Sequence, residues 1–197
     1  MRCLYCDRPI EKGSFKSLFL QSDQLCTDCR KQLKVHHQVI RKQGLLIETF
    51  FDYDSLFRSL LLQYKECCDE ALKTVFLYDL ADYFKIRYHA CKIIFVPSCQ
   101  EKREKRGFDH LAGIFECTGL KEAKGLRMKQ EWSQEGKDRR QRLLMADNYV
   151  YEGERQKKVL LVDDVVTTGA SLAGACRAIA PYVEKTVVLS LTNKKEK

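Results

Sequence analysis

The sequence predicts an α/β protein with an open, mainly parallel sheet flanked by helices and a small cysteine-rich module at the N-terminus. Residues 159–162 are four consecutive apolar residues with lysines before them and acids after them, which is typical of a buried parallel strand. Residues 92–96 form a second short apolar run that ends at a proline. Two Cys-x-x-Cys pairs in the first 29 residues distinguish the N-terminus from the rest of the chain.

The composition indicates one main globular domain with an appendage. The chain has 197 residues, of which 45% are hydrophobic and 31% charged. We expect a cytoplasmic protein without a membrane span, because no apolar run has the required length and the start, MRCLYCDRPIEKG, lacks the pattern of a signal peptide. The ten cysteines fit reduced thiols in a cytosol. The net charge of +8 favours polyanionic partners without naming one.

The two cysteine pairs predict a metal site formed by Cys3, Cys6, Cys26 and Cys29. Two such turns complete a tetrahedral four-cysteine zinc site, and four protein ligands leave no open position for catalysis. The intervening segment is too small to hold its own core, so the metal would supply folding energy. A redox Cys-x-x-Cys is the alternative, although that chemistry needs only one pair. We therefore predict a structural Zn²⁺ module over residues 1–40 and a second domain over residues 41–197.

Between this module and the second apolar run, the pattern predicts one strand and two helices. Residues 45–53 are expected to be a strand, followed by a helix that Asp54 caps. Apolar residues at helical spacing continue over residues 56–64 and again over residues 72–83. His36 and His37 are close enough to be spare metal ligands, but we expect them on the surface of a helix after the module.

The loop after the 159–162 strand carries the strongest functional signal. Asp163 and Asp164 end that strand, and a loop of small and hydroxyl residues follows before a helical pattern that stops at Pro181: Thr167, Thr168, Gly169, Ala170 and Ser171. Backbone N–H groups at a helix start bind phosphate, and carboxylates accept hydrogen bonds from sugar hydroxyls. Together they describe a site for a ribose 5-phosphate. The alternative is a buried strand with a solvated acidic turn; another phosphate loop is disfavoured because G-x-x-x-x-G-K-[ST] is absent.

The string VDDVVTTGAS resembles the 5-phosphoribosyl 1-pyrophosphate (PRPP) signature of the type I phosphoribosyltransferases. The resemblance implies the fold of those enzymes, with Asp163 and Asp164 at the ribose hydroxyls and residues 167–171 around the 5-phosphate. Mg²⁺ would accompany PRPP, held mainly by the phosphates.

Two basic segments are candidates for further contacts with anions. The first is a predicted loop after the 92–96 strand, where Arg103, Lys105 and Arg106 can neutralise a pyrophosphate and Gly107 permits a tight turn. A plain solvated surface is the alternative. The second, residues 121–142, is predicted to be a mobile loop or lid. There Trp132 can stack on a base or anchor the loop to the core.

The order of these motifs resembles the ComF family over essentially the whole chain. It comprises the two cysteine pairs, a Tyr-Lys element, VPS with a basic RGF loop, a Gln- and Arg-rich segment and VDDVVTTGAS. The resemblance implies a zinc finger joined to a phosphoribosyltransferase domain, and a role in natural transformation on incoming single-stranded DNA with a competence helicase and other DNA-uptake proteins. It makes Arg139, Arg140 and Arg142 candidate nucleic-acid contacts. The chain departs from the family pattern at Arg106–His110, which reads RGFDH, and at residues 63–67, which read QYKEC.

We therefore expect a PRPP-binding protein that acts in DNA uptake. The alternative is an active, amidophosphoribosyltransferase-like glycosyltransferase of nucleotide metabolism, with ammonia, an amine or a base as acceptor. A regulator that senses PRPP while holding RNA also fits the charge. Because no general base for an acceptor stands out, the sequence leaves open whether the chain catalyses transfer.

Overall fold

The computed structural model describes residues 1–10, 23–129 and 148–194, and within these ranges the main sheet has five strands. Their order across the sheet is β1-β2-β7-β6-β3, with β1 antiparallel to β2 and the other neighbours parallel. A separate antiparallel pair is formed by β4 and β5. The strands are β1 Val35–Lys42, β2 Leu45–Asp52, β3 Lys92–Phe95, β4 Leu126–Met128, β5 Tyr149–Tyr151, β6 Gln156–Val166 and β7 Val183–Asn193.

Helices cover both faces of the main sheet. Short 3-10 segments occupy Glu70–Thr74, Glu116–Thr118 and Ala180–Tyr182. None of the helices in the described part of the chain has the length and apolar character that crossing a bilayer requires. The α-helices are α1 Thr27–Gln32, α2 Ser55–Glu66, α3 Ala81–Arg87, α4 Gln100–Arg106, α5 His110–Phe115 and α6 Ala170–Ile179.

Strand β6 is buried on both faces because successive side chains alternate between two hydrophobic clusters. Leu160 and Val162 pack with the aromatic residues of α2 and α3, whereas Val159 and Leu161 pack with α6, β4 and β5. This double burial explains the continuous apolar run in the sequence. The predicted fold class, an open, mainly parallel α/β sheet with helices and an N-terminal four-cysteine cluster, is confirmed.

The β1–β2 hairpin corrects the prediction that His36 and His37 lie on a helix. Both residues are in strand β1, where they contact Asp52 and Glu48 of β2. The two-residue turn at Gln43 and Gly44 has positive φ at both positions (49° and 76°), as type I′ hairpins require. Gln-Gly is a weaker turn signal than Asn-Gly, so the sequence pattern missed this hairpin.

The predicted basic loop after β3 is also wrong, because residues 100–106 are helix α4. Its sequence, QEKREKR, contains only good helix formers, and the Gln100 side chain donates a hydrogen bond to Glu104 at 2.7 Å. The helix ends at Gly107, whose φ of 80° suits a left-handed C-terminal position.

Apolar residues at helical spacing over 72–83 do not form one helix. The 3-10 segment Glu70–Thr74 and a run of turns precede α3. The Val75 carbonyl in this region accepts a hydrogen bond from the Arg30 guanidinium at 2.9 Å. This stretch therefore contacts the N-terminal module. Helix α2 and its cap at Asp54, which accepts from Phe57 N at 2.7 Å, are as predicted.

The N-terminal module packs directly on the main core. Cys3, Leu25 and Cys29 belong to the same buried cluster as Phe57 and Tyr64 of α2. Strand β1 begins at residue 35, so the sheet starts before the predicted domain limit at residue 40. The division into residues 1–40 and 41–197 as separate units stays a prediction.

Candidate functional site

The acidic end of β6 projects past its neighbour β3. Phe95, the last residue of β3, pairs with Val162, whereas β7 continues to pair with β6 as far as Val166. Asp163 and Asp164 therefore lie at the carboxyl edge of the sheet, beside the loop that follows β3. In an open α/β sheet this is where ligands bind.

Asp164 has more ion-pair and hydrogen-bond partners than Asp163. Its Oδ2 forms an ion pair with Lys65 of α2 and lies 3.3 Å from Nε2 of His110, the first residue of α5. Its Oδ1 accepts a hydrogen bond from the Val165 backbone N–H at 2.8 Å. Burial by itself would raise the pKa of Asp164, but the charge of Lys65 and the contact with His110 outweigh it and hold the pKa well below its usual range.

Asp163 has the opposite electrostatic character. Burial, followed by the negative charge of Asp164, raises the pKa of Asp163 well above its usual range. Burial and the charge of Asp163 likewise raise the pKa of Tyr149, on β5, to about 12. Adjacent carboxyls in one strand thus favour different protonation states, as often occurs at functional sites.

The predicted phosphate loop leads into the N-terminus of α6, a ten-residue helix. Gly169 is its N-cap residue, with a left-handed φ of 81°, and the Ala170 N–H donates to Thr168 Oγ1 at 3.3 Å. Lys42, at the end of β1, donates a hydrogen bond to the Thr167 carbonyl. A Cβ added at Gly169 would lie 3.0 Å from Lys42 Cβ, so glycine suits both the backbone conformation and the close contact. A helix start of this kind can bind an anion, and the assignment of residues 167–171 to a phosphate stays a prediction.

The other predicted site residues fall into two groups. Arg103 and Lys105 are exposed on α4, and Gly107 follows that helix. Arg106 is only 6% exposed and donates to the Lys65 carbonyl at 3.0 Å. Their assignment to a pyrophosphate stays a prediction. Trp132 and the three arginines of the candidate nucleic-acid contact lie outside the described residues: Arg139, Arg140 and Arg142.

Sequence reasoning did not assign three residues to this site: Lys65 and His110, which contact Asp164, and Lys42, which contacts Thr167. A signal existed for Lys65, which follows Leu61 by four residues on a helix whose buried stripe includes Leu61 and Tyr64. A lysine beside a buried stripe can extend its ammonium to solvent or to a buried acid, so this signal does not identify a partner.

The four predicted metal ligands converge. The Sγ atoms of Cys3, Cys6, Cys26 and Cys29 all lie within 4.8 Å of one another. The Cys6–Cys26 Sγ separation is 3.6 Å, and tetrahedral zinc with bonds of about 2.3 Å requires about 3.8 Å between sulfurs. The Arg8 backbone N–H lowers the pKa of Cys6 to about 6, which favours the thiolate that binds metal, whereas burial raises that of Cys29. The cluster is consistent with zinc.

Fold and sites together define a class: an open α/β sheet with an acidic pair and a small-residue loop at its carboxyl edge, joined to a four-cysteine cluster. No protein-family model matches the chain. It is 26% identical over 199 residues to the competence protein ComFC of Streptococcus pneumoniae (strain ATCC BAA-255 / R6), covering 87% of this chain and 90% of that protein. It is 25% identical over 226 residues to the competence protein ComFC of Bacillus subtilis (strain 168), covering 96% and 93%. The chain is therefore a distant, near full-length homologue of ComFC competence proteins, and the resemblance found in the sequence is confirmed.

We predict that the cysteine cluster binds about one zinc ion per chain. Cys26→Ser should lower the zinc content and the melting temperature, because metal binding contributes folding energy. Elemental analysis and thermal melts measure both. Cys67→Ser is the matched control, since Cys67 is exposed and outside the cluster. A wild-type protein that folds fully without metal would contradict the prediction.

We also predict opposite effects of the two acids on stability. Because the pKa of Asp163 is raised, its ionisation costs folding free energy as pH rises above about 4 towards that raised pKa. Asp163→Asn removes this cost, so the variant should have a higher melting temperature than wild type at about pH 8. The difference should shrink as the pH falls to about 4.

The same argument reverses the sign for Asp164. Its lowered pKa stabilises the fold at neutral pH, and this contribution is lost as pH falls through the folded-state pKa. Asp164→Asn should therefore have a lower melting temperature than wild type at about pH 8. Equal shifts of the two variants in thermal melts would argue against the assignment.

Proposed function

We propose that this protein binds PRPP at the carboxyl edge of its sheet and acts in natural competence, in the uptake of single-stranded DNA. The acidic pair beside the small-residue helix start carries the PRPP proposal. The competence role rests on the two ComFC relatives, each matched over nearly its whole length.

The contacts around the site suit a ribose 5-phosphate. The first N–H groups of α6 and the hydroxyls of Thr167, Thr168 and Ser171 are the donors for the 5-phosphate. The oxygens of the Asp163 carboxyl group are the acceptors for the ribose hydroxyls. Lys65 brings a positive charge to the same edge, and Mg²⁺ would enter with the pyrophosphate.

Buried polar groups support a ligand at this edge. Among the described residues, three buried side-chain atoms have no hydrogen-bond partner: Ser98 Oγ, His110 Nε2 and Asn193 Oδ1. Ser98 follows β3, His110 faces Asp164, and Asn193 is the last residue of β7. Such atoms are rare in folded proteins and usually find a partner in ligand or water. All three are associated with the carboxyl edge of the sheet.

Calorimetry with PRPP and Mg²⁺ tests the site directly. Asp163→Asn replaces one acceptor oxygen by a donor, and Thr168→Ala removes a hydroxyl donor to the phosphate. Each change should weaken binding by about 10- to 150-fold. Glu184→Gln is the control, since Glu184 is exposed at the opposite, amino end of β7. Wild-type binding no tighter than that of the two site variants would refute the PRPP site.

The same titration can separate binding from transfer. Release of pyrophosphate with ammonia, an amine or a base as acceptor would support the alternative function, an amidophosphoribosyltransferase-like enzyme. Binding without release in the presence of these acceptors would favour a ligand-binding role.

We propose that single-stranded DNA binds through Arg139, Arg140 and Arg142. The motive is the concentration of basic residues beside Trp132 in the sequence, together with the competence relatives. Binding should weaken by about 0.7 decade per phosphate contact for each decade of salt. Changing the three arginines to alanine should flatten this slope and leave PRPP affinity unchanged.

A triple variant of Arg155, Lys157 and Lys185 to alanine controls for net charge. These residues are exposed at the amino ends of β6 and β7, and their loss removes the same formal charge. Fluorescence anisotropy with an oligonucleotide should show a salt slope close to wild type. If wild type fails to bind at low salt, the basic segment contacts a protein partner instead.

A further inference from the structure

His110 is a buried polar side chain beside the acidic pair. Its side chain is 4% exposed, and its ring lies between Arg106 and Asp164. Arg106 Nη1 lies 3.0 Å from Nδ1, and Nε2 lies 3.3 Å from Asp164 Oδ2. The Tyr64 hydroxyl donates to the His110 carbonyl at 3.1 Å, which fixes the start of α5.

The contact with Arg106 decides which ring nitrogen of His110 carries the proton. A guanidinium only donates hydrogen bonds, so Nδ1 must accept. The proton of the neutral ring is then on Nε2, the atom that faces Asp164. Nε2 lies 3.3 Å from Oδ2 but has no hydrogen-bond partner in this structure. The donor is aimed at a carboxylate that Lys65 already occupies.

Lys65 and His110 differ in their freedom to move. The Lys65 side chain is 23% exposed, on a flexible four-carbon stem, and its ammonium contacts Asp164. His110 is held on both sides of its ring and through its carbonyl. An anionic ligand arriving at this edge can therefore attract Lys65 away, whereas His110 stays. A buried carboxylate left with no charged or hydrogen-bonding partner would be costly.

We propose that His110 is the positioning residue of Asp164. Its Nε2–H donates a hydrogen bond to Oδ2 when the Lys65 ammonium moves to the phosphates of the ligand. The inference rests on the proposed PRPP site and adds an exchange of partners within it. Asp164 then keeps its orientation and charge with ligand bound. Arg106 acts one step further back, by fixing the tautomer of His110 and by bonding the Lys65 carbonyl at 3.0 Å.

Two substitutions of His110 separate positioning from packing. The amide of His110→Gln reaches the Nε2 position and can still donate to Asp164, whereas that of His110→Asn reaches only the Nδ1 position and can accept from Arg106. Both place a polar amide in the same buried site, so their structural costs are similar. Calorimetry should show PRPP binding about tenfold tighter for His110→Gln than for His110→Asn. Equal affinities of the two variants would overturn the proposal.

A spectroscopic measurement makes the inference independent of PRPP binding. NMR of ¹⁵N-histidine protein should show an Nε2–H resonance that disappears in His110→Gln and moves downfield in Lys65→Met, as the bond to Asp164 tightens. If the wild type does not bind PRPP but Lys65→Met shows this shift, the PRPP site is refuted and the contact between His110 and Asp164 is supported. An Nε2–H resonance that is insensitive to both Lys65→Met and Asp164→Asn would overturn the inference, whatever the calorimetry shows.

Discussion

The ion pair between Asp164 and Lys65 is the interaction on which the carboxyl edge of the sheet depends. A carboxylate with a side chain that is 10% exposed is stable only with charged or hydrogen-bonding partners. Those partners come from α2 and α5, and α4 adds Arg106, which bonds both the Lys65 carbonyl and the His110 ring. Three helices are thus fixed to one strand through one negative charge. Their packing sets the positions of the side chains around Asp164.

Helix α2 connects this edge with the cysteine module. Gln63 donates to the carbonyl of Leu4, inside the first cysteine pair, at 3.4 Å, and two residues later Lys65 reaches Asp164. On the other side of the module, Arg30 forms an ion pair with Asp23 at 2.6 Å and also bonds the Val75 carbonyl. The cysteine cluster therefore supports the end of the helix that carries Lys65. Order in the module and geometry at the acidic edge are physically linked.

The two acids affect the stability of the fold in opposite directions, and ionisation of Asp163 lowers it. Asp164 is charged at neutral pH because Lys65 and His110 compensate its burial, whereas Asp163 lies beside that charge without an equivalent partner. A group kept in an unfavourable state by its neighbours is ready to gain an interaction from a ligand. The unpaired buried oxygens of Ser98 and Asn193 fit the same description. Among the described residues, the buried side-chain atoms without a hydrogen-bond partner are all at this edge.

The sequence by itself determined the elements whose signals are local. The apolar run of β6, the cap of α2 at Asp54 and the spacing of the four cysteines each depend on neighbouring residues, and each is present in the structure. Tertiary structure decided the rest. It formed the β1 hairpin from a weak Gln-Gly turn. It also brought Lys42 to Thr167 across 125 residues of chain and Lys65 to Asp164 across 99 residues. Periodicity reports which face of an element is buried, but the partner of a buried charge is chosen by the packing of distant elements.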